Sequence, residues 1–157
     1  MTEASVVAIF LHRHKKRPMD PVESVRAEAG AGLEGDTYYE DPDSKADQSG
    51  GDREVTLIEC EAVESATRES GVLLTTAESR RNLVTRGVRL NPLVGQEFEV
   101  GGVRLRGIRL CHPCGHLEAL TRPGVLKALA NRGGLRAQVL EGGTIRVGDR
   151  IAATSGA

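Results

Sequence analysis

Two cysteines and two histidines fall within six residues, Cys111-His112-Pro113-Cys114-Gly115-His116, the densest reactive cluster in the chain. Three chemistries compete for it. Thiolate and imidazole are ligands for zinc or iron. A structural zinc, however, usually draws ligand pairs from two separated segments. No second pair exists here, because Cys60 stands alone on a stretch with helical period. Four ligands so close in sequence would also strain a tetrahedron. A Cys-x-x-Cys dithiol is a redox centre where a strand precedes it and a helix N-terminus follows. The strand is expected, but Pro123 delays the helical pattern and the surroundings read as hairpins. The third chemistry uses a single working thiol, Cys114, with Cys111 as its neighbour. A thiolate at a strand end, near His116 and arginines from elsewhere, suits a soft metal or a carried sulfur atom. Pro113, Gly115 and His116 are not core residues, which sets Cys114 apart from Cys60, read as a buried apolar residue.

The elements expected to position this cluster are mainly strands. Val6 to Phe10 reads as the first, and Val22 to Val25 as a second, short one. The connector His12 to Met19 is basic, and His12 and His14 read as solvated loop residues. Gly30 to Tyr39 holds three glycines but lacks the spacing and following helix of a dinucleotide fingerprint. Residues 40–52 read as an acidic surface loop. Val55 to Ile58 is a strand. Glu59 to Ser70 is helical, with Cys60, Val63 and Thr67 on one face and Gly71 at the C′ position. Thr75-Thr76-Ala77-Glu78 fits a capping box opening a short helix that carries Arg80, Arg81 and Asn82.

Beyond this, Phe98 and Val100 alternate, Gly101-Gly102 turns, and Val103 and Leu105 alternate back, which predicts a hairpin. Gly107 breaks the period as a bulge would, and the strand then runs into Cys111. Pro123 to Asn131 reads as a helix with Val125, Leu126 and Leu129 as its apolar face. Leu135 to Val147, turning at Gly142-Gly143, reads as a second hairpin, and Ile151 as a last strand. The fold class is mostly β (α+β), a β-barrel with a few short helices on the rim. Strict β-α-β alternation is absent, so a doubly wound sheet is not expected.

A chain of 157 residues fits one domain over residues 1–157, with a core from about 5 to 152 and a frayed tail at 153–157. Hydrophobic residues make up 39% and charged residues 27%, unlike a disordered chain. With two Phe, two Tyr and no Trp, the core must be aliphatic. The net charge of −1 gives no reason to expect nucleic acid as a partner. No apolar run reaches membrane-spanning length. The basic cluster follows the first apolar run, whereas a secretory signal places its charge first. Three cysteines without framework spacing suit a reducing compartment, and a cytoplasmic protein is expected.

Five motifs then appear in order: Gly32-Leu33-Glu34-Gly35-Asp36; Arg53-Glu54-Val55-Thr56-Leu57-Ile58; Arg80-Arg81-Asn82-Leu83-Val84 with Leu90-Asn91-Pro92-Leu93-Val94-Gly95; Cys111-His112-Pro113-Cys114; and Gly143-Thr144-Ile145-Arg146-Val147-Gly148-Asp149. Together they resemble the MOSC domain, named for the C-terminal domain of molybdenum cofactor sulfurase, in its small stand-alone bacterial form. The resemblance covers residues 5 to 152 and implies a β-rich barrel. It also implies a functional cysteine at Cys114, which in related proteins carries a persulfide or ligates molybdenum in a bound molybdopterin.

The phosphate of that cofactor asks for arginines and N–H groups, for which Arg53, Arg80 and Arg81 are candidates, with Asn82, Asp36 and Cys111 completing the cofactor set. Asp36 and Asp149 also fit plain turn positions, and Arg81 a surface one. His116 or a nearby arginine would lower the thiol pKa. The implied function is cofactor binding or sulfur carriage independent of pyridoxal phosphate, with a cysteine desulfurase or sulfur-acceptor protein as partner. The alternatives are a small molybdenum-dependent reductase of N-hydroxylated compounds, served by an electron-donor protein, and a non-enzymatic zinc-binding domain. Enzyme members of the family carry an additional N-terminal barrel without counterpart in this sequence.

Overall fold

The computed structural model describes residues 3–13, 18–40, 54–113 and 115–153. The acidic loop from 41 on, His14 and the tail from 154 lie outside them. Among the described residues, no helix is long and apolar enough to cross a membrane.

Strands dominate, as the alternating apolar pattern predicts. β1 (Ser5–Leu11), β5 (Val55–Glu59) and β6 (Leu83–Arg86) form the middle of the structure. Their apolar runs are continuous because both faces are covered. Ile9, Leu57 and Leu83 enter one buried cluster, with Phe98, Leu105, Leu135 and Ile145. Their neighbours Phe10, Ile58 and Val84 enter a second, with Val63, Ala66, Leu117, Val125 and Leu129. The first cluster lies between strands; the second lies beneath helices.

Eight strands make the larger sheet. Its order runs from β11 (Ile151–Ala153) through β7 (Glu97–Val100), β8 (Val103–Leu110) and β9 (Leu135–Glu141) to β5, β6, β1 and β2 (Asp20–Val22). β3 (Ser24–Glu28), β4 (Gly32–Leu33) and β10 (Gly143–Arg146) form a separate three-stranded sheet. The predicted strand at 22–25 is therefore two strands, split at Glu23 and assigned to different sheets. The ladders do not close into the expected barrel. An isolated bridge, Ser5 to Arg150, joins the first and last strands, with the Val6 and Ile151 N–H groups donating to Asp149 and Ala4 oxygens at 2.9 Å each.

The β7–β8 hairpin and its bulge beyond Gly107 form as expected. The second predicted hairpin does not. β9 pairs with β8 and β5, whereas β10 pairs with β3. The chain changes sheets at Gly142, where a Cβ would lie 2.6 Å from the Ala27 oxygen. Alternation marks out the strands but carries no partner information.

The helices are short. α1 (Thr37–Glu40) is a single turn. α2 (Cys60–Ser70) links the parallel pair β5 and β6, a local β-α-β unit, and ends as predicted on left-handed Gly71, whose N–H donates to the Thr67 oxygen. α3 (Gly115–Leu120) follows position 114 directly, although the helical pattern was expected only from Pro123. α4 (Val125–Ala128) is shorter than the predicted 123–131. Val125 and Leu129 are buried, but Leu126 is 41% exposed rather than part of the apolar face.

Candidate functional site

The segment leading to Cys114 leaves the end of β8 under tight backbone control. The Cys111 N–H donates to the Gly134 oxygen at 2.7 Å. Gly133 lies against the same segment: a Cβ there would sit 2.4 Å from the Cys111 oxygen and 2.7 Å from Pro113 Cδ. Gly134 takes φ +115°, and a Cβ on it would meet the Leu57 oxygen at 2.2 Å. Only glycine allows these approaches. The role of the pair is to seat the cysteine segment beside β5.

Arg81 completes the clamp. Its Nε donates to the Gly133 oxygen at 2.7 Å, and one terminal nitrogen reaches the Cys111 and His112 oxygens at 3.4 and 3.5 Å. The side chain is buried at 8% exposure, so its charge is stabilised by carbonyl oxygens instead of water. The capping box that precedes it forms reciprocally, the Thr75 N–H donating to Glu78 and the Glu78 N–H to Thr75 Oγ1. It opens only a 3-10 turn, Ala77–Ser79. Arg80 then takes a left-handed φ of 60°, which turns the chain so that Arg81 and Asn82 lead into β6. The predicted helix carrying these residues is therefore replaced by a turn and the short irregular segment that precedes β6. Burial lowers the pKa of Arg80.

Asn82 and Asp36 form a second buried group beside this clamp. Asn82 Nδ2 donates to the Phe10 oxygen and to Asp36 Oδ1, both at 3.1 Å, and Asn82 Oδ1 accepts from the Thr56 N–H at 3.0 Å. Asp36 Oδ1 also accepts the His12 N–H at 2.8 Å, with His12 Nδ1 at 3.3 Å. His12 was read as a solvated loop residue; it belongs to this network, and its spacing from Asp36 in sequence gave no signal of that. The structure thus brings Arg81 to Cys111 at the start of the cysteine segment, and joins Asn82, the next residue in the chain, to Asp36. Cys111 is itself buried, and His112 is exposed. Arg53, Cys114 and the side chain of His116 lie outside the described residues.

Cys60 is remote in role. Its sulfur accepts a hydrogen bond from Arg86 at 3.0 Å, and burial, then Glu64, pushes its thiol pKa up. It is not poised as a thiolate.

The molybdopterin implied by the motifs needs side chains directed at a phosphate. Of the candidates for this, Asn82 donates to Asp36 and to the Phe10 oxygen and Arg81 donates to the Gly133 oxygen, while Arg53 lies outside the described residues. The same bonds fit a scaffold that fixes the approach to Cys114. Among the described residues, no group of three His, Cys, Asp or Glu is placed to hold a metal ion.

No curated protein matches the chain. Solved structures share its fold. The YuaD protein from Bacillus subtilis is 16% identical, with a TM-score of 0.79 over 96% of this chain and 94% of that one. YiiM from Geobacillus stearothermophilus is 17% identical, with a TM-score of 0.73 over 97% of this chain and 75% of that one. YiiM from Escherichia coli is 17% identical, with a TM-score of 0.69 over all of this chain and 72% of that one. At such identities the likeness concerns fold. Sequence carries the family: the MOSC domain matches residues 43–152, a span that contains the Arg81 clamp and the whole cysteine segment, and the chain belongs to the MOSC domain family.

Proposed function

We propose that this MOSC domain is a sulfur carrier, with Cys114 holding the sulfur as a persulfide. The observation that supports this best is the clamp on residues 111–113. Gly133, Gly134 and Arg81 fix the backbone immediately before Cys114. A transfer thiol needs such an anchor, because attack on a sulfur–sulfur bond depends on approach as well as on thiolate character.

The chemistry is transpersulfidation. The Cys114 thiolate attacks the terminal sulfur of a persulfide on a cysteine desulfurase. A new sulfur–sulfur bond forms at Cys114, and the desulfurase cysteine leaves as thiolate. Attack by an acceptor thiolate on the terminal sulfur of Cys114 persulfide then moves that sulfur on and restores the Cys114 thiolate. No net oxidation occurs in either step. His116 assists by favouring the thiolate.

Intact mass after exposure to a low-molecular-weight persulfide tests the reading. Wild type, Cys60→Ser and Cys111→Ser are expected to gain one sulfur atom that dithiothreitol removes, and Cys114→Ser to gain none. Loading retained in Cys114→Ser sinks the proposal. Molybdenum that copurifies with wild type and is absent from Cys114→Ser would replace it with the cofactor-bound reading.

A further inference from the structure

The cysteine segment opens a longer excursion from the sheet. Cys111 and Gly134 meet at its base, and the chain between them runs through α3 and α4. Arg81 grips this base through the oxygens of Cys111, His112 and Gly133. A second grip comes from the same turn, three residues earlier. Glu78 holds Arg122 in a fork, Oε1 accepting from Nη1 at 3.0 Å and Oε2 from Nη2 at 2.5 Å. Arg122 Nη1 also donates to the Leu73 oxygen. Arg122 is in turn tied to α3. Thr121 Oγ1 donates to the Leu117 oxygen at 2.7 Å, and Glu118 Oε1 accepts the Gly124 and Leu126 N–H groups at 3.0 Å each. Residues on both sides of Arg122 are thus bonded back to that helix. The turn itself is closed by the Thr75 N–H, which donates to Glu78 Oε1 at 3.0 Å, and by the Arg80 N–H, which donates to the Ala77 oxygen at 3.1 Å. Arg81 therefore holds the backbone before position 114, and Glu78 holds the helix after it.

We propose that Glu78 is a positioning residue for sulfur transfer, fixing α3 through Arg122 so that the Cys114 thiol is presented in one orientation. The inference rests on the sulfur-carrier reading for the reaction but not for the grip. Side-chain exposures of 36% for Arg122 and 30% for Glu78 make the pair a weak contributor to global stability. A fork that adds little to the fold, yet joins the helix after Cys114 to the turn that clamps the backbone before it, serves orientation. The Arg122 guanidinium holds the Glu78 carboxyl below its ordinary range, so both partners are charged at neutral pH. Transfer between sulfurs depends on the direction of attack, and a small misplacement of the reacting group slows such a step steeply.

The test follows loading of the full chain by a low-molecular-weight persulfide, as intact mass against time. Glu78→Gln and Arg122→Gln are each expected to load about tenfold more slowly than wild type, and the double variant no more slowly than either. Glu78→Lys should also be slow. The swapped pair Glu78→Lys/Arg122→Glu should recover most of the rate, although both lack the carboxylate that caps Thr75. A second ion pair of the excursion, Arg132 with Glu69 on α2 at 3.3 Å, is the control. Glu69→Gln/Arg132→Gln is expected to change loading by less than about twofold. Thermal melts confirm that the variants fold. A wild-type rate in Glu78→Gln overturns the proposal. So does a swap no faster than Glu78→Lys, which would leave Glu78 only its cap. Alkylation of Cys114 by iodoacetamide needs no carrier chemistry and should follow the same order. Wild type that takes up no sulfur, with alkylation still in that order, keeps the positioning role and removes the carrier; equal loading and equal alkylation in all variants does the reverse.

Discussion

At the scale of single residues, two buried charges do opposite things. Arg81 donates to three carbonyl oxygens, which lose that donor once it is removed. Arg81→Ala is expected to cost about 3 kcal/mol of stability, the range for leaving buried acceptors unpaired next to a lost charge-assisted bond. Arg81→Lys should recover only part, because a single ammonium cannot span the same fork. Denaturant midpoints for the two variants check this order, and persulfide loading should fall in parallel with the disordering of residues 111–113. A midpoint unchanged in Arg81→Ala would mean the clamp holds nothing.

Glu54 is buried at 3% exposure, and its carboxylate accepts the Val139 N–H at 2.9 Å. Burial raises its pKa despite that bond. The folded state therefore holds its proton more tightly than the unfolded chain. Stability falls as pH rises from the ordinary carboxylate value of 4.5 through the folded pKa, and stays reduced above it. Glu54→Gln keeps an acceptor for Val139 and removes the charge. It is expected to be more stable than wild type at pH 7 and equal to it near pH 4, measured by urea unfolding at both. An equal midpoint at pH 7 would show that the carboxylate is well solvated.

At the scale of elements, the glycines separate two effects. Gly71, at the end of α2, has φ +74° and nothing within 4 Å of where a Cβ would sit, so Gly71→Ala meets only the left-handed penalty, about 1 kcal/mol. Gly134 combines φ +115° with a Cβ position 2.2 Å from the Leu57 oxygen. Gly134→Ala must also push β5 and β9 apart, and is expected to cost about 3 kcal/mol. Thermal unfolding of the two variants tests the difference; equal losses would show that the close approach is easily relaxed.

The sequence distinguished these glycines poorly. Both follow polar residues at the end of a helical pattern, and only for Gly71 does a helix C′ position describe its job. The same limit explains the β9–β10 error. Gly142-Gly143 reads as a hairpin turn locally, yet β10 finds β3, more than a hundred residues earlier. Strand identity is written in alternation, whereas partners follow from long-range packing. At the site, the cysteine pair stands out in the sequence because its residue types are rare together, and of the two only Cys111 is among the described residues. Arg81 and Asn82 were legible as a motif but not as a buried clamp, since nothing local says that an arginine turns inward.

At the scale of the molecule, the fold depends on its two ends meeting. β11 adds the last strand to β7, pairing Ile151 with Val100, and Ile151 is buried at 6% exposure. The Ile151 N–H donates to Ala4, and the Arg150 oxygen accepts the Gly101 N–H at 2.8 Å. These contacts bridge β1, β7 and β11, so residues far apart in the chain stabilise one another. Ending the chain at Asp149 removes the Ile151 side chain, worth about 2 kcal/mol, and these two backbone bonds at about 1 kcal/mol each. The sum is a large fraction of the roughly 5–15 kcal/mol of an ordinary domain. Both the β7 edge and the start of β1 lose their cover, so the truncated chain is expected to melt at markedly lower temperature while α2 and the Arg81 clamp remain native below the transition. Hydrogen exchange locates the damage: amides of β7 and of residues 4–6 should lose protection first, and those of β5 and β6 last. Uniform loss of protection would instead mean that the two buried clusters unfold as one unit, with no separate stability for the half that holds Cys111.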